Sequence, residues 1–282
     1  MNDCVGCITH ELLIGVSVEF YRSLQVKALS VQNIGKTFYP STWLPWRDKS
    51  SRLAVEALKG VSIEVNTGER VGLIGPNGSG KTTLIKIISG LILPDTGSVE
   101  LFERDISSYS ELSHVIGMAL GDRRSFFLPV SARENLRFFG LMLGIESRAV
   151  DREIERAAEW AGISDALDRK TSTFSQGMIT RLALARSFLL SPPIFLLDEP
   201  TASLDYRMTA RLARKVEELS QNGAAILITS HDLALIADWC SRVYLIEKGE
   251  IIRCLRGDEV VSEISQLRES AAINRINKGN DA

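Results

Sequence analysis

The stretch that most limits what this chain can fold into is GPNGSGKTT, Gly75 to Thr83, set between the apolar run RVGLI and the run TLIKIISGL. Gly75, Pro76, Asn77, Gly78, Ser79, Gly80, Lys81 and Thr82 satisfy G-x-x-x-x-G-K-[ST] in the context that gives the pattern meaning, a strand before it and a helix after it. Its glycines let backbone N–H groups turn inward around phosphate oxygens, the helix N-terminus adds partial positive charge, and Lys81 reaches the outer phosphates. Thr82 offers a hydroxyl to Mg²⁺, and Thr83 extends the same helical turn.

The remaining pattern suits such a loop. From Arg70 strands and helices alternate, the signature of a largely parallel sheet. Upstream, LSVQNIGKTF and EALKGVSIEV read as strands flanking a polar insertion that holds Trp43 and Trp46. Between about Gly121 and Leu190 three segments carry apolar residues at helical spacing: ARENLRFFGLMLG, AVDREIERAAEWAG and QGMITRLALARSFLL. Then PIFLLDEP, AAILITSH and RVYLIEKGEII return to strands. The expected organisation is an extension over residues 1–27, an α/β domain over 28–255 with its helical subdomain at about 121–190, and a polar tail over 256–282.

Composition narrows the function. Lys and Arg total 33 against 35 Asp and Glu, a net charge of -2, which gives no reason to expect a nucleic-acid surface. No run approaches the roughly 20 apolar residues that span a bilayer. The start of the chain lacks the pattern of a secretory signal, and the reading is cytoplasmic. Cysteines at 4, 7, 240 and 254 suit a reducing compartment. Cys4, Cys7 and His10 have the spacing of part of a metal site, yet a closed zinc site wants a fourth ligand and none is apparent, so free thiols are preferred.

Ile194-Phe-Leu-Leu-Asp198-Glu199 ends an apolar strand on two carboxylates. Such acids are commonly a solvated strand end. Beside a phosphate loop, Asp198 is placed to hold a metal or its water, and Glu199 to orient and deprotonate an attacking water. His231 follows the next strand and, in a parallel sheet, emerges at the same carboxyl edge, within reach of a γ-phosphate.

GPNGSGKTT, FSQGM, FLLDEP, ASLD and ITSHD, in this order and spacing, resemble the nucleotide-binding domain of an ATP-binding cassette (ABC) ATPase over about residues 28–255. The resemblance implies a P-loop NTPase with a RecA-like, mostly parallel sheet core, an antiparallel β subdomain and an α-helical subdomain. It implies ATP and Mg²⁺, with Thr82 and Asp198 on the metal and Glu199 and His231 catalytic. Ser175, Gln176 and Gly177 would bind the γ-phosphate of ATP held by a second subunit in a head-to-tail dimer. Asp205, in the Ser203-Leu204-Asp205 turn, would couple the two sites. Phe38 would stack on adenine, or else be a core residue at a strand end.

The chain departs from that family in two places. FSQGM stands for the usual LSGGQ, with Ser175 and Gly177 kept. Where the family has a glutamine near Mg²⁺ and the attacking water, this chain has Gly121-Asp122-Arg123-Arg124. Asp122 either replaces it as a metal ligand or caps a turn. The signature style, the RRSFF and ARENLRFFG block and the upstream insertion resemble exporter subunits of the ABC-2 class, whose nearest relatives carry capsular polysaccharide, O-antigen or teichoic-acid chains and some of whose members move drugs or other lipids. That implies a separate integral-membrane permease, a second copy of the subunit and a place on the cytoplasmic face of the membrane. Arg123 to Phe127, with Phe126 and Phe127, is the expected docking place.

Overall fold

A computed structural model describes residues 26–39, 54–105 and 115–262. The candidate N-terminal thiols, Trp43, Trp46 and the end of the tail lie outside the described residues.

Two sheets divide the work. The first has order β2 (Val55–Asn66), β1 (Lys27–Phe38), β4 (Thr96–Leu101) and β5 (Arg104–Asp105), paired antiparallel throughout. The second has six strands in the order β10 (Glu250–Arg256), β9 (Arg242–Glu247), β3 (Arg70–Ile74), β8 (Ala225–Ser230), β7 (Ile194–Asp198) and β6 (Ile116–Leu120). From β9 to β6 every pairing is parallel, and only the β10 edge runs back, as a hairpin. This is the expected α/β class with an antiparallel β subdomain.

The central strands are apolar on both sides because both faces are covered. Leu196 and Leu227 face α1 (Lys81–Ile88) and the antiparallel sheet, whereas Phe195, Leu197, Ile226 and Ile228 face the helical side. There α2 (Ala132–Met142) and α3 (Val150–Ala161) pack against α4 (Gln176–Ser187), while α5 (Tyr206–Gln221) and α6 (Leu233–Trp239) complete the layer. Ser131 starts α2 with a reciprocal capping box to Glu134, so SARE is a helix start encoded locally. α4 differs from its neighbours: Ile179, Thr180 and every residue from Leu182 to Ser187 are buried, so it is the central rod of the subdomain.

Arg242 staples the two sheets. Its side chain is 3% exposed and donates to Glu64 Oε1 on β2 at 3.1 Å, to the Glu64 carbonyl at 2.9 Å and to Glu69. An ion pair this buried needs each of these partners to offset desolvation.

Candidate active site

The parallel strands deliver their carboxyl ends to one edge. Gly75 follows β3 there, and a Cβ on it would sit 2.1 Å from the Ile246 carbonyl, so the loop can leave the sheet only through glycine. Gly80 caps α1 at φ 110°, a left-handed conformation, and a Cβ on it would lie 2.6 Å from the Ala57 carbonyl. Lys81 is buried, and its ammonium rests inside the loop on the carbonyls of Gly75 (2.7 Å) and Pro76 (3.2 Å). A cleft of about 520 Å³ opens over the loop, lined by Asn77 to Thr83, by Val55, Ala57 and Lys59 of β2, and by Glu199 and Lys248.

On the opposite wall, Thr82 Oγ1 donates to Asp198 Oδ2 at 2.9 Å. Asp198 Oδ1 accepts from Thr229 Oγ1 at 2.5 Å, and the same hydroxyl accepts the Glu199 amide at 3.0 Å. Glu199 sits at φ 47°, where a non-glycine residue needs its surroundings to hold it. Two bonds to Thr229, hydroxyl and carbonyl (3.1 Å), supply that hold. The result aims Glu199 Oε2 at His231 Nδ1, 2.8 Å away. The register Asp198↔Thr229 between parallel β7 and β8 is what brings the carboxylates and the histidine to one edge.

The site fits a nucleotide and a hard cation. Paired hydroxyl and carboxylate oxygens of Thr82 and Asp198 are the donor type Mg²⁺ takes, and the loop presents an ammonium and a helix N-terminus to phosphate. Magnesium would neutralise phosphate charge there.

Sequence reasoning missed two participants. Thr229, fully buried, was legible as a polar residue in the apolar strand AAILITS, next to Ser230 and His231. Lys248 enters the cleft from the tight turn of the β9–β10 hairpin, at φ 49°, which only tertiary structure reveals.

Other expected residues fall elsewhere. Phe38 is 39% exposed, pairs in register with Val55 and lies under the Lys36 ammonium at 5.8 Å; it is not among the residues lining the cleft. Asp122 caps a short 3-10 turn over Arg123–Ser125, its Oδ1 accepting the Arg124 amide at 2.9 Å. Arg123 is half-buried. It turns inward and donates to the carbonyls of Ser172 (3.1 Å) and Phe174 (2.7 Å). Phe126 is likewise core, beneath the Arg186 guanidinium, while Phe127 stays half exposed. Of the thiols described, burial pushes Cys240 up to about 12, and Cys254 is exposed.

Ser175, Gln176 and Gly177 open α4 on its exposed end and do not line the cleft over the phosphate loop. The Ser175 hydroxyl accepts the Met178 amide at 3.3 Å, which leaves its proton free for an anion. A Cβ on Gly177 would lie 2.7 Å from the Ser203 carbonyl. Asp205 caps α5 and pairs with Arg181 of α4 at 2.5 Å; the Met208 amide first, and Arg181 after it, hold its carboxyl below the usual range.

The family model described as ABC transporter matches residues 58–202, which contain the phosphate loop, the Ser175 motif and both carboxylates. The chain belongs to the ABC transporter family. It is 31% identical to the ABC transporter ATP-binding protein NatA of Bacillus subtilis (strain 168) over 207 residues, covering 73% of this chain and 84% of that protein. It is 33% identical to the teichoic acids export ATP-binding protein TagH of Lactococcus lactis subsp. lactis (strain IL1403) over 211 residues, 75% of this chain but 43% of TagH. In structure it resembles the dimeric post-hydrolysis state of the ATP-binding cassette MJ0796 bound to ADP and Pi, with a TM-score of 0.70 at 23% identity, over 81% of this chain and 98% of that one. The cassette fold is thereby shown, and as an ABC ATP-binding subunit the chain is an ATPase. Among the described residues of this cassette no helix is long and apolar enough to cross a membrane.

Proposed function

We propose that two copies of this cassette close head to tail on two ATP molecules and drive export of a polysaccharide or lipid-linked glycan through a separate membrane permease. The observation that carries the reading is the position of the Ser175 motif: an anion-ready helix start, exposed, that lines no part of its own nucleotide cleft. A second subunit's γ-phosphate is the ligand that gives it a use.

In this reading Lys81 and the amides of the phosphate loop hold the phosphates of ATP. Thr82 and Asp198 hold Mg²⁺, and Asp122, engaged as a cap, does not. Glu199 takes the proton of the attacking water while His231 fixes the carboxylate and meets the γ-phosphate. Asp205, paired with Arg181 of α4 and capping α5, couples the two sites at the interface. Phe38 borders the base end through Val55.

The glycan cargo follows the likeness to TagH and the signature style. The permease docks on the helical subdomain, where Phe127, Phe138, Leu141 and Met142 are exposed side by side on the turn before α2 and on α2 itself. Mild-detergent capture of the chain from its own cells, with partner identification and an ATPase assay, tests this. A permease with about six spans supports it; a drug-export permease changes the cargo, and ribosomal or repair proteins overturn it.

A further inference from the structure

The loop after β6 is tied to both ends of α4 by hydrogen bonds from Gln176, Arg123 and the buried Arg186. Gln176 Nε2 donates to the Gly121 carbonyl at 2.7 Å, across 55 residues of sequence. Arg123 donates to the carbonyls of Ser172 and Phe174, and Arg186 Nη1 to the Ser125 carbonyl at 3.1 Å. Both ends of the turn at 121–125 are therefore held, one by the residue beside Ser175 and the other by the last turn of the same helix.

The two ends of this connection belong to different chemistry. Gly121 follows Leu120, which pairs in register with Asp198, so the turn starts at the metal side of the chain's own nucleotide cleft. Gln176 starts the helix whose N-terminus awaits the partner's phosphate. At position 121 no side chain reaches toward the nucleotide, and the backbone carbonyl is engaged by Gln176 instead.

We infer that Gln176 and Arg123 are positioning residues that couple the two nucleotide sites of the dimer. Filling of the Ser175 site by the partner's ATP fixes the first turn of α4, and Gln176 and Arg123 pass that order to residues 121–125 beside the chain's own Asp198. This rests on the head-to-tail reading proposed above. Charge-assisted bonds from Arg123 to two carbonyls and a neutral bond from Gln176 are each strong enough for their loss to be seen.

The test uses the full chain with Glu199→Gln, followed by hydrogen exchange of the amides of residues 122–126 with and without ATP, and by light scattering for mass. The parent is expected to gain about tenfold or more protection in this segment when ATP forms the dimer. Gln176→Met, which keeps size and removes the donor, and Arg123→Met lose that gain, and Gln176→Lys, which restores a donor, recovers it. In chains with Glu199 intact, the Hill coefficient for ATP falls from about 2 toward 1 in the two Met variants. Gln176 is exposed, so its variants fold. Dimers whose ATP-induced protection and Hill coefficient are the same in both Met variants overturn the coupling alone. A parent that stays monomeric in ATP overturns the head-to-tail reading beneath it.

Discussion

Thr229 and Asp198 face each other across β7 and β8, with the threonine hydroxyl 2.5 Å from Asp198 Oδ1. That one buried hydroxyl donates to the carboxylate and accepts the Glu199 amide, so it helps set both the orientation of Asp198 and the left-handed backbone of its neighbour. Thr229→Val keeps the shape and removes both bonds to the hydroxyl, while the Glu199 amide retains the Thr229 carbonyl. Stability is expected to fall by about 1–3 kcal/mol, the loss of a hydrogen bond to a half-buried carboxylate. The ATPase kcat should fall by more than the folded fraction does, read by urea unfolding alongside steady-state turnover.

Glu199→Gln removes the proposed base while keeping the shape of the side chain. General-base contributions of about 100-fold to 10,000-fold set the expected loss of kcat. ATP should still bind, and the mass measured by light scattering should double in ATP. Full activity in this variant would remove Glu199 from the role.

How far the sequence reaches is visible in pairs of neighbours. The phosphate loop was legible because its spacing, its strand and its helix are all local. The carboxyl edge was legible because parallel strands send their ends one way: Asp198 stands in register with Thr229 there, and Glu199 meets His231. Phe126 and Phe127 could not be told apart: one residue along an irregular turn moves a ring from beneath Arg186 to the surface. Arg123 looked like a surface charge because its acceptors, two carbonyls near residue 173, are supplied by a segment about 50 positions away. α4 showed helical spacing, yet nothing local announces that other elements cover nearly all of it.

Gly121→Gln tests the departure from the family pattern. A Cβ there meets Thr180 Oγ1 at 3.4 Å and Gln176 Nε2 at 4.0 Å, ordinary contacts, and its backbone needs no left-handed conformation. The fold should therefore be unchanged, with a thermal midpoint within about 4 °C of the parent, the shift that corresponds to less than about 1 kcal/mol. A glutamine amide returned to the metal side of the cleft should raise kcat. An unchanged kcat would mean that the chain has no use for that group.

The Arg242 staple makes stability depend on pH in a known direction. The hydrogen bond from Lys27 first, and that from Arg242 after it, lower the Glu64 carboxyl below its ordinary 4.5. A lowered folded value means that the unfolded chain takes up its proton first. The contribution of Glu64 is present above about pH 4.5 and is lost as pH falls through the lower folded value. Arg242→Met should cost about 1–3 kcal/mol at neutral pH, chiefly by leaving Glu69 without its cation, and should only partly flatten the acid limb of a stability–pH curve, because Lys27 still holds Glu64.

Gly177→Ala separates a phosphate contact from a structural one. The added methyl would lie 2.7 Å from the Ser203 carbonyl, closer than carbon and oxygen can approach, and the obstacle is backbone. Either α4 or the Ser203-Leu204-Asp205 turn has to move, and the Arg181 to Asp205 pair joins the two just beyond the clash. The variant should therefore weaken ATP-driven dimerisation through a displaced turn even where Ser175 is intact. Ser175→Ala removes the hydroxyl without that displacement. Light scattering in ATP should show Gly177→Ala the more damaging of the two, and hydrogen exchange at residues 203–208 should rise in Gly177→Ala only. Equal exchange in both variants would mean that the turn tolerates the methyl and that Gly177 acts through the phosphate alone.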